Sequence, residues 1–216
     1  MKLLIFDVET TGLIKGRNVN VEDTHKFPYI VQFSWVMYDT DTNKLKFRDY
    51  IVKLPNNVVI PKESINIHGI TNEVMRKDGK DIKLVLRDFT NSIYRSDILI
   101  AHNLNFDKKV IQAEYIRNEM INWFSRHRKK EYCTMLTGKP ICKLYRTGRY
   151  NNVPYMKYPT LMELHKHLFN SIPKNLHNSL IDVMVCLRCY YQIEYDNDIF
   201  KKDKYFSFMY NQLCYN

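Results

Sequence analysis

Four carboxylates and one histidine in this 216-residue sequence stand where chemistry can be done. Asp7 and Glu9 follow the apolar run KLLIF in "FDVETTG". If that run is a strand, positions two apart point to one face with Cα atoms roughly 6.6 Å apart. A short and a long acidic arm then converge. Like charges at the end of a buried strand are costly unless a cation sits between them. Asp107 closes "ILIAHNLNFD", just past a second apolar run, and Asp182 is the sole charge from Leu180 to Leu187 in "LHNSLIDVMVCL". Each acid alone has an ordinary explanation as a solvated strand end or a helix N-terminal carboxylate. Together they form a set of oxygen ligands without cysteine, which suits Mg2+ or Mn2+ better than zinc. Such carboxylate clusters hold two ions about 3.5–4 Å apart for in-line displacement at phosphorus. His177, an imidazole and so a proton acceptor of the right kind, could take the proton from an attacking water.

The elements that must position these groups are readable in outline. Residues 2 to 6 predict a strand, and 13 to 28 a polar loop. Residues 30 to 38 and 46 to 53 predict a hairpin around "DTDTN". "IPKESINIHGIT" reads as a loop or short turn. Ile82, Val85, Leu86, Phe89 and Ile93 recur at helical spacing over 81 to 95, before a strand at "DILIA". Asn105 is expected to open a helix running to about 120. Residues 126 to 158 are basic and aromatic without clear periodicity, and helices follow at 160 to 169 and 178 to 193. His177 and Asp182 are five positions apart, about 140° around a helix, so they cannot share a helical face. His177 therefore belongs in the preceding loop, with Asn178 or Ser179 as the N-cap and Asp182 in the first turn. Hairpin first, then alternating helix and strand, implies an α/β fold with a mixed sheet flanked by helices.

"FDVETTG", "AHNLNFD" and "HNSLIDV", in this order, resemble the three motifs of the DEDDh 3′–5′ exonuclease family. That family includes the proofreading ε subunit of bacterial DNA polymerase III, RNase T and oligoribonuclease. The resemblance runs from residue 2 to about 193. It implies an RNase H-like fold of five mixed strands and one exonuclease domain over 1–216, while the Tyr- and Phe-rich composition of 194–216 predicts a segment packed on that core. It implies that Asp7, Glu9, Asp107 and Asp182 hold two Mg2+ or Mn2+ ions and that His177 is the general base. By the same resemblance, Thr10 would lie near the terminal ribose, with His68 of "NIHGIT" and Phe106 near the terminal base. Asn103 is a candidate for that pocket. The segment "HKFPYIVQFSWVMYD" is similar to exonuclease-like proteins of large DNA viruses and some bacteria. The implied reaction removes nucleoside 5′-monophosphates from the 3′ end of single-stranded DNA. Trimming of RNA, or a catalytically silent domain binding nucleic acid or a polymerase in trans, are the alternatives.

The composition agrees. Thirty-three Lys and Arg against 23 Asp and Glu give a net charge of +10, suited to a nucleic-acid partner. Between 138 and 159, Lys139, Lys143, Arg146 and Arg149 alternate with Tyr145, Tyr150 and Tyr155. Cation and aromatic interleaving suits a single strand, through phosphate pairing and base stacking. A solvated loop anchored by its tyrosines would read the same way. Five scattered cysteines predict reduced thiols in a cytoplasmic setting, and "CLRC" at 186 to 189 reads as core cysteines rather than a zinc site. No window offers ~18 consecutive apolar residues, so no membrane partner is expected.

Overall fold

The computed structural model describes residues 1–126, 129–148 and 152–215. Five strands, β1 (Lys2–Thr10), β2 (Ile30–Asp39), β3 (Lys44–Ile51), β4 (Ile98–Ala101) and β5 (Lys130–Cys133), form one sheet in the order β3-β2-β1-β4-β5. β1 is antiparallel to β2 and β2 to β3, whereas β1, β4 and β5 run parallel. The expected mixed five-stranded sheet is therefore present.

Alternation along β1 builds both layers and the site. Leu4, Phe6 and Val8 face α3 (Ile82–Arg95) and α4 (Leu104–Arg117), packing on Val85, Leu86, Phe89 and Val110. Leu3 and Ile5 face the other way, toward α8 (Ser179–Tyr195), with Val183, Met184 and Leu187. Asp7 and Glu9 continue that second row, so they emerge beneath the start of α8. The β1–β2 register slips between Glu9 and Thr10, with Val31 the extra residue. Such a bulge bends the strand just where the acids end.

Loop 11–29 contains a single 3₁₀ turn at Thr24–Lys26 and is tied to the body by Arg117. Arg117 donates to the carbonyls of Thr24 and Phe27 at 2.8 and 3.1 Å, stacks on Tyr29 and pairs with buried Glu114. Tyr29 in turn exchanges two hydrogen bonds with Thr11, through its amide to the Thr11 hydroxyl and its carbonyl to the Thr11 amide. The loop is thereby fixed two residues from Glu9.

Three expectations change. "IPKESINIHGIT" folds into a helix, α1 (Lys62–His68), followed at once by α2 (Asn72–Asp78) with Thr71 as its N-cap. α1 buries only Ser64 and His68, so no apolar stripe betrays it. α4 starts at Leu104 rather than Asn105, and Asn103 before it sits in the left-handed region at φ 66°. The short α5 (Trp123–Arg126) leads into the aperiodic stretch, which holds β5, α6 (Thr134–Cys142), and a separate ribbon of β6 (Tyr145–Thr147) and β7 (Pro154–Met156). α6 contains both Gly138 and Pro140, poor helix formers that hid it. Gly138 is there for contact: a Cβ would stand 2.9 Å from Leu164 on α7 (Leu161–Phe169).

The chain ends in α9 (Ile199–Lys202) and α10 (Lys204–Cys214), held to α8 by a buried ion pair. Arg188 donates from Nε and Nη2 to both oxygens of Asp198, at 3.0 and 2.7 Å, between the rings of Phe169 and Phe200. Cys186 and Cys189 are buried on α8, and none of the five cysteines forms a disulfide. Among the described residues, no helix is long and apolar enough to cross a membrane.

Candidate active site

The acids come from three elements that meet at the C-terminal end of β1. Asp7 and Glu9 project from the strand itself. Asp107 lies in the first turn of α4 and Asp182 in the first turn of α8. Asn178 caps α8, its side chain accepting from the amides of Leu180 and Ile181. His177 stands just outside the helix, as the five-residue spacing requires, in the left-handed region at φ 72°. Its amide donates to Asp182 Oδ2 at 3.1 Å, while its imidazole is exposed. Ligand atoms of Glu9, His177 and Asp182 all lie within 4.8 Å of one another. Asp107 accepts from the Val8 amide at 3.2 Å, which draws the α4 carboxylate onto the strand between the other two acids.

Burial dominates the electrostatics. It pushes Asp7 up to about 7, and it pushes Glu9 up to about 9 with the charges of Asp7 and Asp182 adding to the effect. Asp107 and Asp182 are raised well above ordinary carboxylates, by burial first and by Asp7 second. Asp7 Oδ2 and Asp182 Oδ1 are buried with no hydrogen-bond partner. Orphaned buried carboxylate oxygens carry a full desolvation cost. Oxygen donors, surplus negative charge and unpartnered lone pairs are what a hard divalent cation requires, so the residues fit one.

A polar tether fixes α8 against the strands, and the sequence reading missed it. Gln32 and Ser34 on β2 lie opposite Glu9 and Asp7 in the ladder. The Ser179 hydroxyl donates to the Asp7 carbonyl at 2.6 Å and accepts from the Ser34 amide at 3.2 Å. The Ser179 amide donates to Gln32 Oε1 at 3.1 Å. Gln32 and Ser34 both donate to Asp49 Oδ1 on β3 at 2.8 Å. The signal was available, since Gln32 and Ser34 are two polar residues spaced by two inside the apolar run "IVQFSWVMY". In Ser179→Ala the buried Ser34 amide loses its acceptor, and unfolding in urea should show a loss of about 1–3 kcal/mol.

The remaining expected residues divide. Thr10 donates from its hydroxyl to the Gly12 carbonyl at 2.6 Å, closing the turn after the acids. His68 is buried against the Thr10 backbone, with Nδ1 accepting from the Ile70 amide, so the proton resides on Nε2. Burial lowers its pKa. These two are brought together beside Glu9. Phe106 packs partly into the α3–α4 core, and Asn103 is exposed with no side-chain cap bond. Arg146 lies on the β6–β7 ribbon, and Arg149 falls outside the described residues. His102, unforeseen, joins two segments: Nε2 donates to the Pro159 carbonyl at 3.1 Å, and Nδ1 accepts from the Thr134 hydroxyl at 3.0 Å. Burial holds its pKa down at about 4, so it is a neutral joint.

The model of the Exonuclease family of the RNase T type matches residues 4–190, from the first residues of β1 to the middle of α8. The chain belongs to the exonuclease family. All three acidic motifs of this exonuclease lie inside the matched span. Among solved structures, E. coli exonuclease I in complex with a dT13 oligonucleotide is similar over 98% of this chain and 44% of its own, at 15% identity and TM-score 0.67. A product-bound exonuclease I is similar over 97% of this chain and 46% of its own, at 14% identity and TM-score 0.67. The exonuclease described here thus spans less than half the length of those chains, and at such identity the likeness carries the fold. No protein among the curated sequences matches the chain.

Proposed function

We propose that this chain is a 3′–5′ exonuclease that removes nucleoside 5′-monophosphates from the 3′ end of single-stranded DNA, with two Mg2+ or Mn2+ ions as cofactors. The observation that carries the reading is the set of four acids, Asp107 buried and Asp7, Glu9 and Asp182 half-buried, two of them with an orphaned buried oxygen, gathered beside one exposed histidine. Family membership supports the reaction class, and the oligonucleotide bound to exonuclease I supports the substrate class.

Asp7, Glu9, Asp107 and Asp182 would hold the ions, which supply the positive charge that receives the phosphodiester and offsets charge developing on it. The chain's own groups do the rest. His177, exposed at the mouth, accepts a proton from the water whose oxygen attacks phosphorus, and it can return that proton to solvent. The bond from phosphorus to the 3′-oxygen breaks, the shortened strand keeps that oxygen as a hydroxyl, and the terminal nucleotide leaves with a 5′-phosphate. Thr10, His68, Phe106 and Asn103 orient the terminal nucleotide. The Ser179 tether keeps α8, and with it His177 and Asp182, in register with β1. Proofreading, if this activity serves it, would act for a polymerase in trans.

The test is a time course on matched 5′-labelled DNA and RNA strands with Mg2+ or Mn2+. Stepwise shortening of DNA, lost in chelator, is the expected result. A chelator-insensitive or internal cleavage pattern would sink the reading, and faster shortening of RNA would transfer it to an exoribonuclease.

A further inference from the structure

The β6–β7 ribbon is two strands of three residues each, outside the main sheet. Two-stranded ribbons are marginal on their own. This one nonetheless leaves Tyr145 62% and Tyr155 50% exposed, and Tyr158 just beyond it 48% exposed. Among the described residues, no carboxylate pairs with the ribbon's Arg146, nor with Lys139 on α6 or Lys143 at its end, and Lys139 instead faces the Tyr158 ring. Glu163, the acid at the ribbon's foot, is taken by Lys157.

Its root is hydrogen-bonded in place at the catalytic end of the sheet. Lys157 donates its amide to the Leu144 carbonyl at 2.9 Å, closing the base of the ribbon. Pro159 is buried and receives the His102 proton. His102 directly precedes Asn103 and α4, the helix that carries Asp107. The joint therefore ties the ribbon to the segment that delivers one of the four acids.

Register decides what the ribbon can bind. Arg146 pairs across the ladder with Tyr155, so cation and ring share one face. Tyr158 lies under Lys139 Nζ, with the ring centroid at 4.3 Å. Paired rings and cations match the alternation of base and phosphate along a single strand, whose unpaired bases offer the faces that stacking needs. We propose that the ribbon is a strand-holding arm for nucleotides 5′ of the scissile bond, with Tyr155 stacking one base and Arg146 pairing with the adjoining phosphate. The inference rests on the proposed function for its substrate class, and it adds a second binding locus that a very short substrate cannot reach.

Two measurements separate the arm from the acids. Binding of an oligothymidylate of about twenty nucleotides is followed by fluorescence anisotropy in chelator across a salt series. Hydrolysis of a thymidine dinucleotide is followed separately in Mn2+. Tyr155→Ala and Arg146→Glu should each weaken the long oligonucleotide about tenfold. Arg146→Glu should also reduce the salt slope by about 0.7, the value for one phosphate contact on a single strand. Dinucleotide kcat/KM should stay unchanged in both variants. Unaltered binding of the long strand, or an equal loss on the dinucleotide, overturns the arm. A wild-type protein that binds the long strand but hydrolyses neither substrate counts against the proposed function instead, and the binding series still decides the arm.

Discussion

Asp7→Asn should lower the rate of 3′-terminal release by roughly a thousandfold, about 4 kcal/mol of transition-state stabilisation. The same variant should unfold at a higher temperature than the wild type in chelator. Both effects have one cause. Asp7 is half-buried, one of its oxygens is fully buried without a partner, and its charge raises the pKa of Glu9, Asp107 and Asp182. Asn keeps the shape, removes the charge, and presents an N–H2 group to neighbours that are acceptors when ionised. Without cations the folded state is thereby relieved, while with them a ligand is missing. Parallel measurements of 3′-label release and of Tm in chelator check the pair. A variant that retains activity would remove Asp7 from the reaction, and one that loses activity together with apo stability would mean Asp7 serves the fold.

That opposition explains which parts of the molecule were legible in sequence. Acids at the ends of apolar runs break the local pattern, and a broken pattern is visible without a structure. Asp182 interrupts an apolar helix, and its five-residue offset from His177 placed the histidine outside the helix, with Asn178 or Ser179 as the cap, of which the structure uses Asn178. β1 and α3 were equally plain, because one alternates into two cores and the other carries its stripe at helical spacing. Elements that bury little of themselves were not. α1 hides two polar residues and no apolar one, and α6 carries Gly138 for the sake of Leu164 on another helix. A reason that lies across the fold cannot be read from local propensity. The Ser179 tether is intermediate. Gln32 and Ser34 were conspicuous as polar residues in a buried strand, but their partner is 145 or more positions away in the chain. His102 reads as one more residue of a motif until Pro159 is found against it.

The second large effect is on stability against pH. In the folded chain burial carries Asp7 from 3.8 up to about 7, and burial with the neighbouring charges of Asp7 and Asp182 carries Glu9 from 4.5 up to about 9. The folded state therefore holds protons that the unfolded chain gives up near pH 4. Stability from this source is fully present below the unfolded values and is lost as pH rises through 7 and then 9. Between pH 5 and pH 9 the chelated protein should lose several kcal/mol, a fall in Tm of about 10 °C for a domain of this size. Divalent cations contribute with the opposite sign, because they compete with the protons for the same oxygens and need them ionised. With saturating Mg2+ the decline should flatten, the gap between metal and chelator should widen toward pH 9, and metal binding at pH 7 should release protons measurable by calorimetry in two buffers. Asp7→Asn should remove much of the chelator slope. A Tm in chelator that holds level across this range would show that the acids are not desolvated in the free protein, and the orphaned oxygens of Asp7 and Asp182 would then have to be water-satisfied rather than reserved for cations.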